Sequence, residues 1–295
     1  MDNILQLHED LKNKTYKHGG YQQFKINDPK PRTIHKASVR DRLLHHAVYR
    51  IFYPLYDKTF VSDSFSCRNN KGTYKAINRF RKFGYIVSKN NTKTCWILKC
   101  DIKKFFASID QEILINILEQ RIFDKNIINL LQEIICSFKL GGLPLGNLTS
   151  QLFANVYLNE LDQFVKHKLK VKYYIRYADD FVIFIQNNDS LDNLATAKIS
   201  RRLILKINIF LWEKLKLQMH PDKVFIKRLK SGMDFLGWIN FFDYRILRTK
   251  TKNRIIKRLN RDYNKEIFNS YLGLLKHGKS CRIKKNILNK YIWQN

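Results

Sequence analysis

Two runs of apolar and aromatic residues flank a pair of adjacent acidic residues in the middle of the chain. Residues 173–175 precede the pair and residues 181–185 follow it, and both runs are rich in aromatic and β-branched side chains. Such runs are typical of buried strands. The pattern therefore predicts two antiparallel strands joined by a tight turn that carries Asp179 and Asp180.

A third apolar run predicts another buried strand, which also ends at an acid. Trp96, Ile97 and Leu98 form this run, and Asp101 follows it before the basic and aromatic segment KKFF. A single acid at a strand end is most often a turn residue or a helix cap. Its significance here depends on the acidic pair that follows about eighty residues later in the chain.

Most of the remaining chain has apolar positions at helical spacing. A short strand is predicted from Arg32 to Ile34, and a turn and strand over 215–226. The predicted helices run from Val39 to about Tyr56, through Tyr74, Ile77 and Phe80, over two segments of 110–139 divided near Asp124, from Thr149 as N-cap to about Val165, and from about Leu191 to Leu215. Residues 249–295 also have helical spacing, and they carry 13 Lys and Arg.

The overall charge predicts a polyanionic partner. The chain has 55 Lys and Arg against 25 Asp and Glu, a net charge of +30, which is far more than solubility requires. Neutralising backbone phosphates with such a surface releases counterions and stabilises nucleic-acid complexes. With 295 residues and 44% hydrophobic content, the chain is long enough for one large core with subdomains or for two domains.

The cysteines and histidines do not predict a metal or redox site of their own. The five cysteines are scattered without a CxxC pair, and the eight histidines show no metal-ligand spacing. We expect reduced thiols in a cytoplasmic protein. The first residues lack the pattern of a signal peptide, and no apolar segment of 18 residues follows, so no membrane association is expected.

The acidic pair indicates metal-dependent chemistry. Asp179 and Asp180 repel each other within one turn, and nearly all their neighbours in sequence are apolar. A divalent cation neutralises such a pair, and Asp101 supplies the further carboxylate that two-metal phosphoryl transfer requires. The alternative interpretation is a solvated acidic turn without catalytic use.

The order of several motifs resembles the sequence blocks of reverse transcriptases. These motifs are Asp101 with Phe106, GGLPLGNLTSQ at 141–151, YADD at 177–180 and FLGW at 235–238. The resemblance covers about Arg32 to Trp238. More narrowly, LGNLTSQLFANVYLNELDQF at 145–164 resembles the reverse transcriptases of diversity-generating retroelements, which have SQ where group II intron and retroviral enzymes have PQG followed by SP.

The resemblance implies an α+β protein with the right-hand polymerase fold. It implies fingers at 1–94 and a palm with an antiparallel sheet at 95–248, where 111–148 contribute in part to the fingers. Residues 249–295 would form a small basic helical thumb. The implied activity is that of an RNA-directed DNA polymerase that copies a template RNA into cDNA by two-metal nucleotidyl transfer.

The resemblance also assigns site residues. Asp101, Asp179 and Asp180 are the implied catalytic residues, and together with the main-chain carbonyl of Ile102 they would hold two Mg²⁺ ions, for which Mn²⁺ can substitute. The implied dNTP-binding residues are Arg32, Phe106, Leu145, Gln151 and Lys223. The implied primer- and template-binding residues are Lys36, Arg68, Tyr177, Gly237 and Trp238.

Two of the nucleotide-binding positions suggest selectivity. Phe106 matches the bulky aromatic position that excludes a 2′-hydroxyl and so favours dNTP over NTP. Leu145 stands where many relatives have the Gln of PQG, and leucine lacks a side chain that hydrogen-bonds to the nascent base pair. We expect error-prone copying at template adenines, as in mutagenic retrohoming by diversity-generating retroelements.

Three interpretations of the function stay open at this stage. The first is the diversity-generating retroelement enzyme, bacterial or phage-encoded, whose partners would be template RNA, cDNA primer or product, dNTPs and a small basic helical accessory protein that forms an oligomer. The second is a retron-like or abortive-infection defence reverse transcriptase. The third is a non-catalytic RNA-binding scaffold that kept the fold.

Overall fold

A computed structural model describes residues 2–27, 30–186, 193–261 and 264–292. The N-terminal half contains α1 (Asp2–Lys12), β1 (Tyr21–Ile26), β2 (Arg32–Ala37), α2 (Val39–Asp57), α3 (Thr73–Val87), β3 (Cys95–Asp101), α4 (Phe105–Ser108), α5 (Gln111–Glu119) and α6 (Lys125–Cys136). It continues with α7 (Leu148–Gln163), β4 (Tyr174–Tyr177), β5 (Asp180–Gln186), α8 (Asn193–Leu215), β6 (Phe225–Arg228), β7 (Met233–Phe235), β8 (Trp238–Asn240) and β9 (Arg245–Leu247). The C-terminal helices are α9 (Thr249–Arg261), α10 (Lys265–Leu275) and α11 (Cys281–Ile292).

The predicted acidic hairpin belongs to a four-stranded antiparallel sheet. The strand order is β4-β5-β3-β6, so the strand that ends at Asp101 lies beside the strand that begins at Asp180. These residues form strands because their side chains alternate between two buried faces and most of them are β-branched or aromatic. The predicted hairpin and the predicted third strand are both confirmed.

The two faces of this sheet pack into two separate cores. Leu98 and Phe181 point to one face, where they join a core with α7, α8 and other helices. Ile97 and Val182 point to the other face, where they pack with α3, the β7–β9 sheet and the C-terminal helices. Each fully buried large apolar side chain contributes about 1.5–3 kcal/mol. The sheet is therefore fixed from both sides.

Helix α7 begins two residues earlier than expected. The predicted N-cap was Thr149, but the helix starts at Leu148 and its N-cap is Asn147. The Asn147 side chain makes no capping hydrogen bond. Its amide instead donates to the His35 carbonyl at 2.8 Å and accepts from the Ala37 backbone N–H at 3.3 Å. The start of α7 is thus joined to strand β2.

The C-terminal region is helical, as predicted, and is preceded by a small sheet. Strands β7, β8 and β9 form this antiparallel sheet, and FLGW supplies the turn between β7 and β8. Leu236 and Gly237 occupy the turn with φ of +52° and +84°, as a two-residue hairpin turn requires. Together with the remaining helices, these elements confirm the predicted α+β class. Among the described residues, no helix is long and apolar enough to span a membrane.

Candidate active site

The three predicted catalytic carboxylates lie at one end of the sheet. Tyr177 pairs with Asp180 across the hairpin, so Ala178 and Asp179 form the two-residue turn, with Ala178 at φ +53°. Asp101 lies directly opposite Asp180 in the neighbouring strand. The Ile102 N–H donates to the Asp179 carbonyl at 3.2 Å. The residue whose carbonyl is a predicted metal ligand therefore lies against the acidic turn, and the ligand role itself stays a prediction.

The environment of this site disfavours negative charge on Asp179 and Asp180 when no metal ion is bound. Burial raises the pKa of Asp180 to about 6, and the nearby Asp101 and Asp179 carboxylates add to the shift. Burial also raises the pKa of Asp179, and the charge of Asp101 acts in the same direction. The Oδ1 atom of Asp180 is buried and has no hydrogen-bond partner. A buried acceptor of this kind requires a partner.

Two lysines lie against the carboxylates. The Lys99 Nζ is 3.2 Å from Asp180 Oδ2 and donates to the Asp234 carbonyl at 2.9 Å. The Lys223 Nζ donates to Asp101 Oδ1 at 2.9 Å. In the part of the chain that the structure describes, no group of three His, Cys, Asp or Glu side chains has the geometry to hold a metal ion. The lysines instead neutralise two of the three carboxylates.

The donor set nevertheless fits a hard divalent cation. All three side chains are carboxylates, the ligands that Mg²⁺ prefers, and the partnerless Oδ1 of Asp180 is an available oxygen ligand. Burial raises the pKa of both Asp179 and Asp180, and a cation at this position would supply a counter-charge that favours their ionised forms.

A buried arginine supports the acidic turn from behind. The Arg176 side chain is fully buried and binds the equally buried Asp162 through two donors, at 2.6 and 2.8 Å. Its third nitrogen donates to the Ala178 carbonyl of the turn at 3.2 Å and to the Asn155 side chain at 3.3 Å. Sequence analysis missed Arg176, Asp162 and Lys99, because each acts through a partner that only the fold brings close.

The structure brings several predicted nucleotide-binding residues to this end of the sheet. Arg32 is exposed at the start of β2, and its charge lowers the pKa of Asp179, against the larger effect of burial. Leu145 is half-buried beside β2, and its carbonyl accepts from the His35 N–H at 2.9 Å. Phe106 is half-buried five residues after Asp101, and its carbonyl accepts from the Leu143 N–H at 2.8 Å.

Other predicted contact residues have side chains at the surface or near the turn. Lys36 is exposed on β2, and Gln151 is exposed in the first turn of α7. The Tyr177 hydroxyl accepts a hydrogen bond from Thr73 at 3.1 Å. The nucleotide, primer and template roles of all these residues stay predictions.

Two predicted contact residues have different roles in the structure. The Arg68 side chain is almost fully buried and donates to the Asp57 carboxylate at 2.7 Å and to three backbone carbonyls, so it fixes its own loop rather than facing a template. Trp238 is 2% exposed in the second core, so its indole is not available to a primer. The sequence motifs did not reveal this burial.

A basic groove lies beside the β7–β8 turn. It has a volume of about 1060 Å³ and is lined by Leu236 and Gly237 of the turn, by six Lys and Arg of residues 248–261, and by Asn27 and Lys30 of the β1–β2 connection. Gly237 therefore faces this basic groove, whereas its neighbour Trp238 faces the core. The primer-binding role of Gly237 stays a prediction.

Comparisons with known proteins give consistent matches. Residues 17–240 match the family model described as reverse transcriptase (RNA-dependent DNA polymerase). The group II intron-encoded protein LtrA of Lactococcus lactis subsp. cremoris is 24% identical over 89% of this chain and 53% of its own length. Protein YkfC of Escherichia coli K12 is 22% identical over 76% of this chain and 65% of its own length. The chain thus spans less than two thirds of these relatives.

A retron protein and solved structures extend the comparison. The retron Ec73 reverse transcriptase of Escherichia coli is 34% identical over 31% of this chain and 33% of its own length. Telomerase from Candida albicans, solved with a TWJ fragment of telomeric RNA, has a TM-score of 0.55 at 12% identity, covering 95% of this chain and 57% of that chain. Telomerase from Candida tropicalis has a TM-score of 0.54, also at 12% identity, covering 99% of this chain and 58% of that chain. These likenesses confirm the predicted right-hand polymerase fold.

Proposed function

The chain belongs to the reverse transcriptase family of RNA-dependent DNA polymerases, and from this premise we propose that it copies a template RNA into cDNA at the Asp101, Asp179 and Asp180 site. One observation carries the proposal. Three carboxylates meet at one end of the sheet, and the Asp180 Oδ1 atom is buried there without a partner. A site built only to be stable would not keep this atom unpaired.

Each side chain of the site has a role in the proposed nucleotidyl transfer. Asp101, Asp179 and Asp180, with the Ile102 carbonyl, would hold two Mg²⁺ ions, with Mn²⁺ as a substitute. Such ions would supply Lewis-acid activation of the primer 3′-hydroxyl and positive charge beside the transferred phosphate. Arg32 and Lys223 would bind the triphosphate, since both lie close enough to Asp179 to lower its pKa. Positioning and electrostatics then provide most of the rate enhancement.

Primer extension on an RNA template, with Mg²⁺ and four dNTPs, tests the proposal. Asp179→Asn and Asp180→Asn keep the size of the side chain and remove the charge, so we expect each to lower the extension rate by at least about a thousandfold. Glu213→Gln, an exposed position on α8, is the matched control and should keep the wild-type rate. Full extension by Asp180→Asn would refute the assignment of this carboxylate, whereas equal inactivity of the wild type and both variants would favour the non-catalytic scaffold.

We further propose that the enzyme is of the diversity-generating retroelement class, which the resemblance of residues 145–164 supports. The Leu145 carbonyl accepts from the His35 N–H of β2, the strand that begins at Arg32. We expect wild-type cDNA to carry errors concentrated opposite template adenines and Leu145→Gln to reduce them severalfold. The class also implies a small basic helical accessory protein, which should co-purify with the chain as an oligomer.

The group II intron and retron relatives favour the neighbouring class as the second candidate. A retron-like or abortive-infection defence enzyme would give no error bias at template adenines. An unchanged error spectrum in Leu145→Gln, together with evenly distributed errors in the wild type, would favour this second candidate.

A further inference from the structure

Cations follow the exposed face of α3. The opposite face of this helix packs against the sheet through Ala76, Ile77, Phe80 and Phe83, which are all buried. The cations lie at i, i+4 and i+7 spacing, which places them on one side of the helix. They are Lys75, Arg79 and Lys82, with Lys71 just before the helix and Arg81 beside them.

Two adjoining depressions lie along this face, and they share Asn78 and Lys82. Their volumes are about 440 and 550 Å³. Acidic residues are fewer than cations here. Asp63 is buried and is paired with Arg79 at 2.7 Å, and Asp243 binds the Asn91 amide at 2.7 Å. The surface therefore keeps a net positive charge.

Hydrogen bonds to the backbone hold two of these cations in place. The Lys71 Nζ donates to the Ser62 carbonyl at 2.7 Å, and the Lys75 Nζ donates to the Asn70 carbonyl at 2.6 Å. An ammonium group has three donors, so each retains donors for an anion. Ordering these lysines in the free protein lowers the entropy cost of binding.

An aromatic platform completes the second depression. Tyr85 is 49% exposed, and it lines the depression together with Phe242 and Arg81. Aromatic rings beside cations are the arrangement that binds unpaired bases together with their phosphates. A duplex keeps its bases stacked inside, so this pairing of features favours a single strand.

The α3 face begins at the active site and leads away from it. Thr73, the first residue of the helix, contacts Tyr177 next to the catalytic turn. The helix then runs about 22 Å along the face of the sheet opposite to α7. The basic groove of residues 248–261 shares no lining residue with the two depressions. The two basic surfaces are therefore separate.

We propose that the α3 face, from Lys71 to Tyr85, is a second nucleic-acid binding surface that holds an unpaired stretch of RNA outside the catalytic cleft. The choice of RNA as the polyanion rests on the proposed function. The phosphates bind Lys71, Lys75, Arg81 and Lys82, and an unpaired base stacks on Tyr85.

Equilibrium binding by the full chain tests this surface. The probes are a DNA primer annealed to RNA with almost no overhang, and the same hybrid with a long unpaired RNA tail at either end. Binding is measured in EDTA without dNTPs, so the result does not depend on polymerase activity. The α3 variant is Lys75→Glu/Lys82→Glu. The matched control, Arg202→Glu/Lys206→Glu, makes the same charge change on exposed residues of α8.

We expect the α3 variant to lose about tenfold in affinity for the tailed hybrid. The slope of log K against log salt concentration should become less steep by about 1 to 2. Its affinity for the hybrid without a tail should change less than about twofold, and the α8 control should bind both probes as wild type does. Tyr85→Ala keeps the charge and should also weaken only the tailed complex, by about 5- to 150-fold, as for other stacked bases.

Three results would overturn the proposal. Equal losses in the α3 and α8 variants would mean that net charge alone acts. Equal losses for both probes would make α3 part of the catalytic cleft. Unchanged affinity for the tail, with the fold retained by circular dichroism, would leave this face to an acidic protein partner. Absence of primer extension by the wild type would instead refute the proposed function and would not alter these binding results.

Discussion

The buried Asp180 carboxylate lowers the stability of the fold, although it serves the proposed chemistry. Burial raises its pKa to about 6, so the folded state binds the proton more tightly than the unfolded chain, whose Asp pKa is about 3.9. Stability from this group is therefore fully present below about pH 4 and is lost as the pH rises to about 6. At neutral pH the charged carboxylate destabilises the fold by roughly 3 kcal/mol.

Replacing this carboxylate by an amide should therefore stabilise the protein at neutral pH. In EDTA we expect Asp180→Asn to raise the unfolding free energy by about 1–3 kcal/mol at pH 7.5 and to have little effect near pH 4. Urea unfolding at the two pH values measures this difference. An equal or lower stability of the variant at pH 7.5 would show that the carboxylate is adequately paired by Lys99.

Lys99 partly neutralises the Asp180 carboxylate, as a bound metal ion would. Its Nζ atom lies between Asp180 Oδ2 and the Asp234 carbonyl. We expect Lys99→Met to bind Mn²⁺ about fivefold more tightly, since a competing cation worth about 1 kcal/mol is removed. Its maximal extension rate should fall, because Asp180 loses the contact that orients it.

Mn²⁺ binding followed by electron paramagnetic resonance measures the affinity without turnover. Lys103→Met, an exposed lysine two residues after Asp101, serves as the control and should bind Mn²⁺ as wild type does. Weaker Mn²⁺ binding by Lys99→Met would mean that this lysine organises the site rather than competing with the ion.

At the scale of elements, the segment before α7 depends on a close backbone approach. Gly142 has φ of +69°, and a Cβ atom there would lie 2.3 Å from the Phe106 carbonyl oxygen. Gly141 has φ of +75° but nothing within 4 Å of such a Cβ atom. Gly141→Ala should therefore lower the free energy of unfolding only through the strain of a left-handed backbone, by about 1–2 kcal/mol. Alanine at 142 must also displace Phe106.

The two alanine variants form a matched pair for testing nucleotide selection. We expect Gly142→Ala to be at least about 2 kcal/mol less stable than Gly141→Ala and to lose discrimination between dNTP and NTP severalfold. Urea midpoints and the ratio of kcat/KM for the two nucleotides are the measurements. Equal discrimination in both variants, with the expected stability difference, would mean that Phe106 is not the selecting ring.

The sequence was most informative where the pattern is local. The apolar runs around Asp179 and Asp180 predicted β4, β5 and their turn, because strand periodicity and turn position are both written in adjacent residues. Helix α1 was missed because it buries little, and Leu7 is its only fully buried apolar residue among those described. It is held largely by tertiary contacts such as the Asp10–Arg40 ion pair.

The supporting residues of the site were beyond sequence analysis for a similar reason. Lys99 meets Asp180 only through the register of β3 with β5. Arg68, an implied template-binding residue, is buried in an ion pair with Asp57 of α2. A charged residue in a sequence motif does not disclose whether its partner is a ligand or another part of the chain.

For the whole molecule, the net charge of +30 acts in opposite directions on folding and on binding. Salt screens the self-repulsion of the compact state and also weakens contacts with phosphates. Raising NaCl from about 50 to about 200 mM should therefore increase the melting temperature while lowering RNA affinity by at least about a thousandfold. Calorimetry and filter binding measure the two effects, and a melting temperature that falls with salt would indicate stabilising surface ion pairs.

The second core has a consequence for protein engineering. Ile255, Leu259, Leu275 and Ile287 of the C-terminal helices share that core with Ile97 of the central sheet. A chain cut at residue 248 would leave this apolar surface open, so it should aggregate rather than yield a working fragment. Exchange of the C-terminal helices between homologous enzymes, for example to alter processivity, would therefore need α3 and the β7–β9 sheet to be transferred with them.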